Sequence, residues 1–374
     1  MMSFARLWAM IVKEFVQIRR DRATLGMMVG IPLVQLILFG YAINSDPRHL
    51  PAAVRDADGG PVGRAVVAAM QASSYFDLTL IADGEDEVEA AIRRGRVQFA
   101  VTIPADFSRR VMRGERPALL VAADATDPAA TANALSGLTT IARAAARDLS
   151  GPLASLRPAA DPFEIRVHRR YNPEAETRFN IVPGLMGVVL TMTLVIMTSL
   201  AVTRERERGT MEFLLATPLR PLEVMLGKIV PYIVIGYAQS ALILVAAKGL
   251  FSVPMVGSLA LLSAITVLFI AANLAVGFTC STIAANQLQA VQMGFFFFLP
   301  SIMLSGFMFP FRGMPAWAQA VGEVLPLTHF LRIVRGILLK GNGLAECGPD
   351  VLALAAFLAV VSVVALARYR VTLD

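Results

Sequence analysis

The sequence predicts an α-helical polytopic membrane protein of six transmembrane helices with an extracytoplasmic α/β domain inserted between the first and the second. Three observations carry this expectation. The 374-residue chain is 56% hydrophobic, with a mean hydropathy of +0.62 and only 17% charged residues, which is too apolar for an ordinary soluble domain. Six apolar runs read as membrane spans, the first of them, 23–44, long enough to cross a hydrocarbon core of about 30 Å. One stretch, 45–178, is different material, with frequent charges and apolar runs of strand length.

Taken in order, residues 1–22 form a cytoplasmic interfacial helix. Phe4, Leu7, Trp8, Ile11, Phe15 and Ile18 recur at helical spacing, with Arg6, Lys13, Glu14 and Gln17 on other faces. Its role is anchoring alone or anchoring together with partner contact. Residues 23–44 are the first span. Pro32 within it, and the lack of a small-residue cleavage pattern at Tyr41–Asn44, argue against a secretory signal.

Within 45–178, strands are expected at Ala52–Val54, Leu78–Ile81, Val97–Ile103, Ala118–Ala122 and Phe163–His168. Helices are expected at Val62–Gln71, Glu85–Arg93, Asp106–Met112 and Pro128–Asp148. Alternating strands and helices argue a small α/β domain. It follows the first span and so lies outside the cytoplasm. Its arginines do not contradict that, because long translocated loops escape the positive-inside rule. The acidic run Glu85–Glu89 reads as a solvated helix face, and Asp124 and Asp127 as turn and cap residues.

Residues 179–374 hold the remaining spans, at Ile181–Val202, Ile229–Leu250, Gly257–Cys280, Leu288–Phe309 and Val351–Leu366. Six crossings place both termini in the cytoplasm. The partly polar segment 310–349, with Trp317, is expected to form short helices at or dipping into the outer leaflet, a re-entrant-like arrangement. A full crossing at Thr328–Leu339 is rejected. It would put Arg332 and Arg335 in lipid, at about 2.5–3.5 kcal/mol each near mid-bilayer.

The hinge between spans two and three, Arg204–Lys228, reads RERERGTMEFLLATPLRPLEVMLGK. Arg204, Arg206 and Arg208 mark the cytoplasmic side. Gly209 breaks the incoming helix, Thr210 caps a new one with Glu212 in its first turn, and Pro218 ends it. The product, near 204–217, is a short amphipathic helix. It is either a handle for a soluble partner or a loop resting on headgroups. As a handle, Glu205, Glu207 and Glu212 pair with a partner's basic groups while Met211, Phe213 and Leu214 fill a groove. Otherwise the glutamates pair with their neighbouring arginines.

Several functions are disfavoured by the residues. The net charge of +6 sits at Arg19, Arg20 and Arg22, around Asp21, and at Arg204–Arg208, so anionic lipid and orientation explain it better than nucleic acid. Cys280 and Cys347 fall on opposite membrane sides, so no disulfide or cysteine metal site is expected. His49, His168 and His329 are scattered, with no ligand partner at metal spacing. There is no phosphate-cradling GxxxxGK[ST], since Gly227-Lys228 is followed by Ile229 and lacks the upstream glycine. There is also no GxSxG elbow and no HExxH helix. The chain is therefore not expected to be an enzyme.

Four stretches resemble a known family. KEFVQIRRDRATLGMMVGIPLVQLILFGYAIN at the N-terminus, RYNPE followed by FNIVPGLMG, RERERGTMEFLLATPL, and LSGFMFPFRGMPAWAQ with LPLTHFLRIVRGI are similar to ABC-2 type exporter permeases that carry a large extracytoplasmic domain. The ERGTxExLxxTP pattern is the most specific piece, and the resemblance spans nearly the whole chain. It implies a multi-pass subunit of a bacterial inner membrane, working as a homodimer or heterodimer. Separate cytoplasmic ATP-binding subunits drive it, and they hold ATP and Mg while this chain holds no cofactor. The resemblance implies that they dock on the N-terminal helix (Lys13, Glu14, Arg19, Arg20, Asp21, Arg22) and on the coupling helix (Glu205, Glu207, Gly209, Thr210, Met211, Glu212, Phe213, Leu214, Pro218).

Substrate in such exporters moves along the dimer interface, lined here by spans two and five through Thr191, Thr193, Thr198, Gln289 and Gln292. Span-to-span hydrogen bonding is the competing role for each, and for Asn273, Asn286 and Gln287. Hydrophobic or amphipathic cargo, drugs included, is expected, with ion, polysaccharide and lipid export open. The outer domain contacts a periplasmic adaptor or handles departing substrate. Two rival classes remain: a sensor whose outer domain binds a ligand and signals through the hinge, and a lipid-modifying membrane enzyme, for which no acid, base or metal cluster is present.

Overall fold

A computed structural model describes residues 49–73, 75–128, 131–132, 134–138, 141, 163–207 and 221–368, with only the backbone path given for 205–206 and 221–230. The expected N-terminal helix, the first span and the coupling helix from Gly209 to Pro218 lie outside the described residues.

The charged stretch forms a five-stranded mixed sheet. In chain order its elements are β1 (Leu50–Asp56), α1 (Pro61–Ala72), β2 (Phe76–Ile81), α2 (Glu85–Arg93), β3 (Phe99–Ile103), α3 (Phe107–Met112), β4 (Ala118–Asp124) and β5 (Glu164–Arg170). The strands lie in the order β2-β1-β3-β4-β5. β1 pairs parallel with β2 and β3, β3 antiparallel with β4, and β4 parallel with β5. Strand alternation divides the residues between two faces. Ala52, Val54, Phe99, Val101, Ile103, Leu119 and Val121 face one core with Val62, Val66 and Met70 of α1. Ala53 and Ala100 face the other, under Val88, Ala91 and Ile92 of α2. The large side chains fill the α1 layer; the alanines let α2 lie close. β5 is an edge strand reading EIRVHRR, and its charges discourage pairing with another chain.

The rest is helical. The long elements are α4 (Thr177–Glu207), α5 (Pro221–Gly249), α6 (Leu259–Ile283) and α7 (Gln287–Leu304). Two short helices follow, α8 (Ala316–Val324) and α9 (Pro326–Arg335), then a π turn (Gly336–Lys340) and α10 (Leu344–Arg368). Five of these helices are long and apolar enough to cross a membrane: those at Thr177–Arg204, Pro231–Gly249, Leu259–Ile283, Gln287–Leu304 and Leu344–Arg368. The described residues thus form a mostly helical membrane protein with a small sheet domain. At about 1.5 Å per residue α4 is ~46 Å long, more than the hydrocarbon core needs. Its charged end, Arg204–Glu207, is therefore free to stand among headgroups.

α4 and α6 form the middle of the bundle. Met186, Leu190 and Leu194 pack with Leu262, Ile265, Phe269 and Leu274, and Phe330 of α9 stacks on Phe269 with ring centroids 3.9 Å apart. α5 and α10 turn apolar faces outward, including Leu242 (70% exposed) and Leu352 (73%). Such faces are liabilities in water and natural in lipid. Gly277 permits the close α4–α6 crossing. A Cβ there would stand 2.7 Å from the Val195 carbonyl oxygen and 2.9 Å from Thr198 Cβ, and Ser199 Oγ donates to the Gly277 carbonyl at 2.9 Å.

A helical glycine sacrifices about 1 kcal/mol relative to alanine, so Gly277 is retained for contact rather than propensity. Replacement of Gly277 by valine is expected to destabilise the bundle by about 1–3 kcal/mol through overpacking. Gly249→Ala, where a Cβ meets nothing within 4 Å, should be close to neutral. Thermal unfolding of both variants in the same detergent checks this.

Candidate functional site

At the charged end of α4, the side chain of Glu207 reaches the start of α7. Its Oε1 accepts from the Gln287 backbone N–H at 2.7 Å and its Oε2 from Gln287 Nε2 at 2.5 Å. Arg204 Nε lies 3.4 Å from Gln287 Oε1. Unpaired amides and the helix dipole make a helix N-terminus attractive to a carboxylate. The two bonds from Gln287, the side-chain one first, hold the Glu207 carboxyl below its usual pKa. The same turn is capped from within. Asn286 Oδ1 accepts from Gln289 N, and Gln289 Oε1 accepts from Ala285 N, both at 2.9 Å. The N-x-x-Q spacing of Asn286 and Gln289 is the sequence sign of such a cap. Nothing local announces Glu207, 80 residues away. Of the residues expected to face an ATPase, Glu207 is thus engaged by this chain's own α7.

The five residues expected along a substrate path separate into two groups. Thr191 and Thr198 are buried inside the bundle. Thr191 Oγ1 donates to the Gly187 carbonyl at 2.8 Å, while Thr198 packs on Gly277. Gln289 is buried in its capping role. Thr193 and Gln292 are half-buried. Thr193 Oγ1 lies 2.7 Å from the Val189 carbonyl and 3.0 Å from Gln239 Oε1, so it bridges α4 and α5. Asn273 donates within its own helix to the Phe269 carbonyl at 2.9 Å.

A denser polar assembly joins the sheet domain to the bundle. Lys340, on the π turn, forms an ion pair with Asp124 at the end of β4, their side chains 9% and 8% exposed. Lys340 Nζ also approaches the Ile92 carbonyl at 3.4 Å, and Asn342 Nδ2 the Arg93 carbonyl at 3.3 Å, both at the end of α2. From α4, Asn180 Nδ2 donates to the Thr126 carbonyl at 2.9 Å, and its Oδ1 accepts from Arg335 Nη2 at 2.7 Å. The RYNPE stretch closes the link between β5 and α4. Buried Asn172 bonds both ways with Glu176, Nδ2 to its carbonyl at 3.0 Å and Oδ1 from its N–H at 2.9 Å.

Beside it, His329 is held by two acceptors. Nδ1 meets Asp350 Oδ1 at 2.7 Å and Nε2 meets the Glu323 carbonyl at 2.8 Å. A carboxylate and a carbonyl can only accept, so both ring nitrogens carry protons and the imidazole is cationic. Burial lowers its pKa, but the Asp350 and Glu323 bonds outweigh burial and hold it above the usual 6.5. Arg332 forks onto Glu323 at 2.5 and 3.0 Å, lies 3.5 Å from Asp350, and stacks over Phe311 at 4.7 Å.

Five apolar helices joined to a small sheet domain by buried polar contacts define a multi-pass membrane protein with a sizeable polar domain at one face. The chain matches the family model described as ABC-2 family transporter protein over residues 22–367. It is 35% identical over 350 residues to the "Probable multidrug ABC transporter permease YbhS" of Escherichia coli K12, covering 91% of this chain and 90% of the relative. It is 31% identical over 372 residues to the "Inner membrane transport permease YhhJ" of the same organism, covering 97% and 96%. ABC transporter G family member 20 of Dictyostelium discoideum is 23% identical over 344 residues, 89% of this chain but 46% of that protein. The chain belongs to the ABC-2 family of transporter proteins and is a membrane permease subunit of an ABC exporter. These relatives lend no support to a membrane sensor.

Two outcomes are expected at the junction. Lys340→Met leaves Asp124 buried without its cation and should destabilise the protein by about 3–5 kcal/mol, seen as a lower thermal midpoint in detergent. For His329, the raised folded pKa makes its contribution complete below the unfolded value of about 6.5 and lost as pH rises through the folded value. Wild type should therefore lose stability relative to His329→Gln as pH rises above the unfolded value and through the raised folded value. Glu323, Asp350 and Arg332 are the charged groups that face the ring.

Proposed function

We propose that this chain is one half of a permease dimer, energised by separate ATP-binding subunits that hold ATP and Mg. Its cargo is hydrophobic or amphipathic, drugs included, and is exported across a bacterial inner membrane. The permease names of the Escherichia coli relatives, one of them multidrug, support the cargo class and the location. A sixth span at 23–44 completes the described five and leaves both termini in the cytoplasm. The sheet domain, with residues 45–178, then lies outside, where it meets departing substrate or a periplasmic adaptor. The segment 310–349 lies at the outer leaflet, and residues 1–22 lie along the inner one.

One observation carries the coupling half of this reading: Glu207 joins the end of α4 to the start of α7. In this reading the segment 204–217, together with Lys13, Glu14, Arg19, Arg20, Asp21 and Arg22, receives the ATPase. Glu205, Glu212, Met211, Phe213 and Leu214 make the contact, and Gly209, Thr210 and Pro218 shape it. A push on that segment tilts α4, and through Glu207 it also pulls α7. Spans two and five, which line the substrate path near Thr193 and Gln292, then move together instead of singly. Coupled rigid movement of packed helices is the ordinary route by which a cytoplasmic closure reaches the far side of a membrane.

The test uses the full chain expressed with candidate ATPases encoded beside it. Phe213→Asp should abolish their recovery on purification. Glu207→Ala should leave recovery intact while drug export falls, because docking survives and transmission does not. Retained export with Glu207→Ala would remove the clasp from the mechanism. Recovery of no ATPase with wild type would remove the proposed energy source.

A further inference from the structure

Between the sheet domain and the outer ends of the helices lies a cavity of about 420 Å³, within the range of small-molecule sites. Its lining, among the described residues, carries seven basic side chains against four carboxylates. Those carboxylates are already engaged: Asp124 with Lys340, Asp350 with His329 and Arg332, Glu346 with the Gly343 N–H, and Asp127 too is not free. Four of the cations have no carboxylate within ion-pair distance among the described residues. Arg335 gives its terminal nitrogens to neutral oxygens, the Gly306 carbonyl at 3.1 Å and Asn180, while its buried Nε finds no acceptor. Arg312 faces like-charged Arg332. Arg94 and Arg96 stand exposed at the rim. Burial pushes the pKa values of Arg335 and Arg312 down, and for Arg312 the nearby Arg332 adds to it. Asp127 and Asp124 oppose this at Arg335 and Glu323 at Arg312, but in both burial outweighs the nearby carboxylates. Two buried amide oxygens on the same wall, Gln98 Oε1 and Asn342 Oδ1, also lack donors.

We propose that this cavity binds a phosphate ester bearing hydroxyl groups, of the glycerol-phosphate kind. The phosphate supplies acceptors to Arg335 and Arg312, whose planar guanidinium groups match phosphate oxygens. The hydroxyls supply donors to Gln98 and Asn342. A bilayer source is at hand. α8 exposes Trp317, Val321 and Val324 at helical spacing, with Ala318 and Gly322 buried behind them, the pattern of a helix lying at headgroup level. It directly follows Phe311 and Arg312, which line the cavity. The same chemistry is offered by a soluble glycerol-phosphate ester. The inference rests on the outer placement proposed above only for which leaflet supplies a lipid.

The test is binding to the full purified chain. After exchange into detergent carrying either phosphatidylglycerol or zwitterionic phosphatidylcholine, retained lipid is counted by native mass spectrometry. Glycerol 3-phosphate is added as a competitor. Wild type should retain phosphatidylglycerol preferentially. Arg312→Gln, and separately the rim pair Arg94→Gln with Arg96→Gln, should each weaken retention about tenfold or more, the value of a charge-assisted bond. The rim variants sit on exposed residues, so unchanged thermal unfolding separates loss of binding from loss of fold. Displacement by glycerol 3-phosphate, or binding of that ester with no lipid preference, identifies a soluble source. Lipid binding that resists it identifies the headgroup. Equal retention of both lipids with no ester binding, or variants indistinguishable from wild type, overturns the proposal. No ATPase or transport is read, so failure of the coupling scheme leaves this result untouched.

Discussion

Lys340 and Asp124 are two opposite charges withdrawn from water, and the relation between the sheet domain and the helical bundle depends on them. Each alone would be costly to bury; together, with the Ile92 carbonyl nearby, they are tolerated. An ion pair of this kind adds little net stability over an apolar contact of the same size. Its effect is on geometry, because only one arrangement of β4 against the π turn satisfies both charges. Asn180 and Asn342 extend the same logic, each giving an amide hydrogen to a backbone carbonyl of the sheet domain, Thr126 just past β4 and Arg93 at the end of α2. The domain is thus fixed by direction-dependent contacts rather than by a greasy interface.

The architecture was readable from the chain because its signals are local. Strand and helix positions in the sheet domain follow from short apolar runs between Gly, Pro and charges, and the observed elements fall within a few residues of them. The long helices follow from hydropathy. The polar attachments were not readable, for a physical reason. Lys340 and Asp124 are 216 residues apart, Arg335 and Asn180 are 155 apart, and Glu207 and Gln287 are 80 apart. No periodicity connects such pairs. Glu207 illustrates the difficulty. Its sequence neighbours suggest an exposed partner contact, yet the nearest unsatisfied amide belongs to α7. Thr191 shows the converse: a hydroxyl on a span can bond to its own helix, so polarity alone does not reveal which way it faces.

Arg332 and Arg335 resolve another tension in the sequence. Near an apolar stretch they argue against a membrane crossing, yet Leu327, Phe330, Ile333 and Val334 are buried in the bundle core. Both hold because α9 is short and strongly two-sided. One face packs on Phe269, and the other meets polar groups of the junction. The helix enters the bundle without its cations entering lipid.

The π turn after α9 sets the phase of this region. Along an α-helix, residues five apart point about 140° away from one another, which would send Arg335 and Lys340 to different sides. The wider turn, closed by the Gly341 N–H on the Gly336 carbonyl, brings them nearly into line, so both reach the junction. An ordinary helix over the same residues would instead swing Lys340 off Asp124 and out of the cavity wall. Shortening the stretch by one residue would restore an ordinary helix with the two cations four apart and still on one face, about 40° from each other. The five-residue spacing and the wide turn are therefore matched to one another, and changing either alone is more disruptive than changing both.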